Sequence, residues 1–188
     1  MTMNEQKHSR QPVIVSQSCE RLSPWLQLVS KEVRFPWLED TQIYLSVKPY
    51  DYVGVLAQTS DGKILLVRQY RPVVEGMTLE LPGGLIDPGE TPEQAGRREL
   101  LEETGHRADK MVHLGTILPD VGRLENRQWC YWAPDVQAFV EPASTEEGVE
   151  VVLCDKRDLY QMVRDGRMPH ALHIAVLTLA SLKGKWVL

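Results

Sequence analysis

The sequence predicts an α/β sandwich preceded by a β-rich N-terminal segment, and three observations carry that expectation. Strand-like runs recur between residues 41 and 81 and again between 111 and 154. A single strongly punctuated helix separates the two groups, over 92–104. Two helical patterns, Lys156 to Asp165 and His170 to Leu182, close the chain. Strands interrupted by one helix and followed by others bury their apolar faces most simply as helices layered on a sheet.

The elements follow in order. The first dozen residues are polar and are expected to be disordered. Trp25 to Val33 and Thr41 to Val47 alternate well enough for strands and form a hairpin or small sheet, so residues 1–48 are read as an arm and 49–188 as the main domain. Tyr52 to Thr59 and Lys63 to Gln69 flank Ser60-Asp61-Gly62, and an Asp-Gly turn between β-rich runs signals a hairpin. Met77 to Leu81 leads into the Gly83-Gly84 pair, and Asp87-Pro88-Gly89 is a turn. Thr91 then serves as N-cap, Pro92 takes the first helical position and Gln94 completes a capping box. Gly105 is placed for a left-handed C-terminal cap. Gly96, in the middle of the helix, costs about 1 kcal/mol against Ala and implies close approach of another backbone. Beyond the helix, Met111 to Leu118, Gln128 to Ala133 and Val149 to Cys154 read as strands.

Composition narrows the function classes. A chain of 188 residues suits one core with a small appendage, and a net charge of −5 without a long basic run argues against a nucleic-acid surface. No stretch approaches the ~18 apolar residues of a membrane span, and the N-terminal residues show no signal-peptide core. Cys19, Cys130 and Cys154 are odd in number and widely spaced, which points to reduced thiols in a cytoplasmic protein rather than to disulfides or a zinc site. There is no Walker-type phosphate loop, no Ser/His/Asp set and no Cys/His set. His170 and His173 lack a matching carboxylate pattern and are read as packing or helix-end groups, not as metal ligands.

Chemistry concentrates in GLIDPGETPEQAGRRELLEETGH, from Gly84 to His106. Glu99, Glu102 and Glu103 stand at i, i+3 and i+4 and share one helix face. Like charges at these spacings destabilise a helix by roughly 0.2–0.5 kcal/mol per pair. A bound divalent cation reverses that sign. Breaking a diphosphate linkage requires neutralising phosphate charge and activating water, which Mg²⁺ or Mn²⁺ held by carboxylate oxygens can do.

This stretch resembles the Nudix box, G-x5-E-x7-R-E-U-x-E-E-x-G-U with U a bulky apolar residue. Gly84, Glu90, Arg98, Glu99, Leu100, Glu102, Glu103 and Gly105 match, and His106 departs from the final apolar position. Seven of the matched positions demand one residue type, so at usual residue frequencies a chance match is on the order of 10⁻⁹ per register. The resemblance implies an α/β/α sandwich with a mixed sheet. It also implies two or three Mg²⁺ or Mn²⁺ ions per site, held by Glu99, Glu102, Glu103 and the Gly83 carbonyl, with Glu103 also in the catalytic set and Arg98 orienting Glu90.

Segments outside the box resemble ADP-ribose and nucleoside-diphosphate-sugar pyrophosphatases. LLVRQYRP followed by LELPGG matches their strand pair, which sets Arg71 near the diphosphate and Glu80 near the metals; a plain Arg71–Glu80 salt bridge is the competing reading. In that subgroup the N-terminal arm swaps within a homodimer and reaches the base pocket. Trp25 and Tyr44 fall where aromatics sandwich the base, Trp37 being a spare candidate and core packing the plainer alternative. The loop EPASTEEGVEV resembles one carrying a glutamate that assists the attacking water; Glu147 fits best by its offset, with Glu146 and then Glu150 as alternatives. In PDVGRLENRQ, Arg123, Glu125 or Asn126 is a candidate contact for the terminal sugar or phosphate. The implied activity is hydrolysis of a small nucleoside diphosphate sugar, ADP-ribose first, with GDP-mannose or another sugar nucleotide next. A non-catalytic ADP-ribose sensor is the reading from a different class.

Overall fold

The computed structural model describes residues 11–139 and 146–186, so the disorder expected of residues 1–10 lies outside the described part. Two compact units emerge. One comprises the residues up to Pro49 together with Asp120–Glu125, and the other comprises Tyr50–Pro119 and the residues from Asn126 onward.

The first unit is an antiparallel sheet of β1 (Val13–Ser23), β2 (Leu26–Arg34) and β3 (Gln42–Pro49), in that order. The sequence reading provided β2 and β3 but not β1, whose residues VIVSQSCERLS hold no steady alternation and are exposed almost throughout. It is a strand because its backbone pairs with β2 from Val13↔Arg34 to Ser23↔Leu26. The 120–125 segment joins the same unit: Leu124 bridges Val47, Glu125 N–H donates to the Val47 carbonyl, and the Glu125 carboxylate accepts from Lys31 and Ser46.

The second unit is a seven-stranded mixed sheet. Its strands are β4 (Tyr52–Thr59), β5 (Ile64–Arg71), β6 (Gly76–Glu80), β7 (His106–Arg107), β8 (Val112–Ile117), β9 (Gln128–Ala138) and β10 (Glu150–Cys154). The path runs β10-β5-β4-β9-β7, with β6 paired to β5 and β8 to β9. β4 and β9 are parallel, and the remaining pairs are antiparallel. Alternation along β4 divides the core. Val53, Val55 and Ala57 pack with Ala95 and Leu100 of α1 (Pro92–Thr104), while Leu56 joins Leu159 of α2 (Lys156–Arg164) and Val176, Leu177 and Ala180 of α3 (Ala171–Leu182). The sheet is thus covered by α1 on one face and by α2 and α3 on the other, the α/β/α arrangement expected.

The capping box of α1 is fully formed. Gln94 N–H donates to Thr91 Oγ1 at 3.3 Å, Thr91 N–H donates to Gln94 Oε1 at 2.8 Å, and Gly105 closes the helix at φ 69°. The expectation for Gly96 needs correction. A Cβ there would meet side chains, Met111 Cε at 2.9 Å and the Cγ2 atoms of Val53 and Val55 at 3.2 and 3.3 Å, rather than another backbone. Glycine at this position lets the helix lie directly on two β-branched residues of β4.

Candidate functional site

The glycine pair after β6 sets the site. Val53 N–H donates to the Gly84 carbonyl and Val55 N–H to the Pro82 carbonyl, each at 2.9 Å, so the ladder passes over the carbonyl of Gly83. A Cβ on Gly83 would lie 2.2 Å from the Val53 carbonyl, and one on Gly84 would lie 2.4–2.8 Å from the Glu99 carboxylate. Both positions therefore need glycine for close approach, the first to β4 and the second to an acidic side chain of α1.

The carboxylates of α1 sit in unlike environments. Glu103 is 3% exposed and accepts the Gly83 N–H at 2.8 Å. Burial pushes its carboxyl up to about 8 despite that hydrogen bond, and the charges of Glu99 and Glu146 push in the same direction. Burial also raises Glu99. Arg98 is the counter-charge. It clamps Glu90 with Nε and Nη2, both at 2.9 Å, binds the Leu85 carbonyl, and directs Nη1 to Glu99 at 2.8 Å and Glu102 at 3.1 Å. These partners, Glu90 first, raise the guanidinium pKa. One arginine thus hydrogen-bonds three acids here, with Asp87 a fourth at 3.9 Å, while Glu103 lacks a cationic partner at hydrogen-bond distance among the described residues. An all-oxygen, under-neutralised donor set of this kind fits a hard divalent cation.

Arg71 and Glu80 form a two-pronged ion pair, both contacts at 2.8 Å, and Thr78 adds a hydroxyl at 2.6 Å. Burial alone would raise the Glu80 carboxyl, but the hydrogen bonds from Arg71 and Thr78 outweigh it and hold it at about 2. The salt-bridge alternative for Arg71 is therefore formed, and both Glu80 oxygens already accept hydrogen bonds. Arg71 nevertheless lines a cavity of about 590 Å³ that reaches Gly83 and Gly84.

Two histidines absent from the expected site border the same cavity. One ring nitrogen of His170, one of His173 and a Glu80 oxygen lie within 4.8 Å of one another, a juxtaposition that sequence spacing did not reveal. The hydrogen bonds argue against a metal there. Leu81 N–H donates to His173 Nδ1 at 3.0 Å, which leaves the proton of the neutral ring on Nε2, and both Glu80 oxygens are engaged. Burial and the neighbouring His170 lower the His173 pKa to about 3, so the ring is neutral.

Of the loop acids, Glu146 is the one tied to the carboxylate cluster. Its N–H donates to the Glu102 carbonyl at 3.1 Å, and its charge acts on Glu99, Glu103 and Arg71. Glu147, favoured by its offset, is exposed in the adjoining turn, and Glu150 pairs with Arg68 on the strand edge. Residues 140–145 of that loop lie outside the described part. Glu125 is occupied within the N-terminal unit, Arg123 is exposed there with its carbonyl bound by Val47 N–H, and Asn126 donates to the Tyr50 carbonyl. Trp25 occupies the β1–β2 turn rather than a strand. Tyr44 stands opposite Lys31 on β3 and meets Phe35 at 5.9 Å, with Trp37 on Phe35 at 5.2 Å, so Trp25 and Tyr44 do not form a sandwich within one protomer.

Residues 48–173 match the family model described as the NUDIX domain. The chain belongs to that family. It is 33% identical to an ADP-ribose pyrophosphatase of Bacillus subtilis over 119 residues, 62% of this chain and 64% of that protein. It is 35% identical to an ADP-ribose pyrophosphatase of Saccharomyces cerevisiae over 120 residues, 59% of this chain and 52% of that protein. The matched segment thus spans only about half to two thirds of those two relatives. A GDP-mannose pyrophosphatase of Yersinia pestis is 29% identical over 178 residues, covering 87% of this chain and 89% of that protein. In fold, a solved ADP compounds hydrolase superposes with a TM-score of 0.78 at 21% identity, over 94% of this chain and 97% of that one.

Proposed function

We propose that the protein is a metal-dependent pyrophosphatase of nucleoside diphosphate sugars, with ADP-ribose the first candidate substrate, yielding AMP and ribose 5-phosphate. The observation that carries this reading is the buried Glu103 beside Glu99, Glu102 and Glu146, a concentration of negative charge answered only in part by Arg98. Glu99, Glu102, Glu103 and the Gly83 carbonyl would hold Mg²⁺ or Mn²⁺, two or three ions being the number implied by the family. When bound, the ions supply charge neutralisation on the diphosphate and a more acidic water.

The chain's own groups do the rest. Arg98 holds Glu99 and Glu102 in place through its anchor on Glu90. Arg71, fixed by Glu80, presents the remainder of its guanidinium to the cavity for the diphosphate. Glu146 is the loop acid that assists the attacking water, in preference to Glu147. Names of relatives support a sugar nucleotide in general and leave GDP-mannose as the second candidate. Free thiols at Cys19, Cys130 and Cys154 accord with a cytoplasmic setting; among the described residues, no helix is long and apolar enough to cross a membrane. A homodimer formed through the N-terminal sheet, with Trp25 and Tyr44 offered to the base, completes the reading.

Incubating the purified protein with Mg²⁺ and a panel of nucleotide sugars, then scoring released monophosphate, tests this directly. ADP-ribose is expected to turn over fastest. Tight ADP-ribose binding without turnover of any panel member would favour the sensor instead.

A further inference from the structure

The acid that joins the carboxylates of α1 is carried on a separate segment, and the backbone on either side of it is held. Helix α1 stops at the left-handed Gly105, which leaves its last carbonyls without helical donors. The Glu102 carbonyl would next accept from the His106 N–H, but that group donates to Thr104 Oγ1 at 3.2 Å. Glu146 N–H takes its place, 3.1 Å from the Glu102 carbonyl. The loop acid thus caps the helix that bears the carboxylate cluster.

The chain then turns toward the sheet. Val149 N–H donates back to the Glu146 carbonyl at 3.1 Å, which closes a turn over 146–149. Strand β10 starts at the next residue, where Glu150 pairs with Arg68 in register and through a 3.2 Å hydrogen bond. The third residue of the turn is Gly148, at φ 87°, and it alone of the four has a positive φ. That pattern is a type II turn, whose third position glycine or asparagine adopts without strain.

Space and conformation separate cleanly at this position. A Cβ on Gly83 or Gly84 would strike neighbouring atoms, whereas nothing lies within 4 Å of where a Cβ on Gly148 would stand. A side chain fits there; what it disturbs is the dihedral angle. Because β10 is fixed in register by β5, a change of angle at 148 is passed back toward Glu146 and its bond to the Glu102 carbonyl. We propose that Gly148 is a positioning residue: its left-handed backbone aims the turn at the carboxylate cluster of α1, so that Glu146 reaches the attacking water. This rests on the reading of the protein as a sugar-nucleotide hydrolase in which Glu146 assists that water.

Two substitutions in the full chain isolate the angle. Gly148→Ala adds a methyl group to open space and disfavours positive φ; Gly148→Asn adds more bulk to the same space and tolerates it. With the best substrate of the nucleotide-sugar panel, Gly148→Ala is expected to lower kcat roughly ten-fold and to leave KM within about two-fold, since small misplacements of a reacting group are costly. Gly148→Asn should return kcat to within about three-fold of the unaltered protein. Added to Glu146→Gln, Gly148→Ala should remove less than about two-fold more, because no acid is left to misplace. Hydrogen exchange at the Glu146 amide, followed by NMR, reads the turn without turnover: protection should fall roughly ten-fold with alanine and return with asparagine. Near-native kcat in Gly148→Ala, equal impairment by alanine and asparagine, the full loss persisting in the Glu146→Gln background, or unaltered exchange would each overturn the role. If the exchange pattern holds while no sugar nucleotide is hydrolysed, the hold of Gly148 on Glu146 stands and the assigned activity falls.

Discussion

At Glu103 a single side chain couples burial, charge and pH. Its carboxyl moves from an ordinary 4.5 to about 8 on folding without metal, because burial disfavours the anion. Between those values the native state holds a proton that the unfolded state has lost, so metal-free stability falls as pH rises from about 4.5 to about 8 and is level above. Glu99, shifted in the same direction, adds to the slope, whereas Glu80 at about 2 acts only on the acid side. Thermal melts in chelator are expected to drop between pH 6 and pH 8.5, and millimolar Mg²⁺ should recover more at the higher pH. Glu103→Gln should flatten that profile and lower kcat by roughly 10²–10³-fold, the usual scale for removing one electrostatic contributor at a reacting centre. A variant that kept both the slope and near-native turnover would place the metal elsewhere.

Among the elements, α1 is where local signals and tertiary demand agree. Cap, first-turn proline, box partner and terminal glycine all lie within the segment, and the helix has the bounds they imply, Pro92–Thr104. Thr91→Ala should cost about 1 kcal/mol and lower the melting temperature by roughly 2–4 °C in a protein of this size, measurable by calorimetry, with kcat largely kept because Pro92 and the packed face still hold the helix. An unchanged melting point would mean the box hydrogen bonds contribute nothing. Other elements were not legible, for physical reasons. β1 has no apolar stripe to read and exists through its pairing with β2. β7 is two residues long, with His106 bound to Thr104 instead of filling an apolar position. The meeting of Glu80 with His170 and His173 joins residues some ninety positions apart, beyond any spacing rule. For the loop acid, offset from the strand favoured Glu147, and the backbone hydrogen bond that ties the loop to α1 starts one residue earlier, at Glu146, a tie that no strand offset could reveal.

For the whole molecule, the N-terminal sheet poses the question of assembly. Val13, Ile14, Val15, Ile43, Tyr44 and Leu45 are all exposed, and alternation sends Ile43 and Leu45 to the opposite side from Tyr44, so both faces carry apolar surface. Isolated chains rarely leave so much uncovered. Sedimentation is expected to give twice the chain mass, falling to one chain mass when Ile43→Glu and Leu45→Glu are combined; a monomeric parent or a persistent dimer in the variant would remove this sheet from the interface. The guanidinium of Arg98, spread across Glu90, Glu99 and Glu102, bears on the same scale. On the proposed reading, a protein with such an internal tether need not come apart when the ions it would hold are stripped. Starvation for magnesium would then idle it rather than destroy it, and replenishment would restart the existing pool without new synthesis.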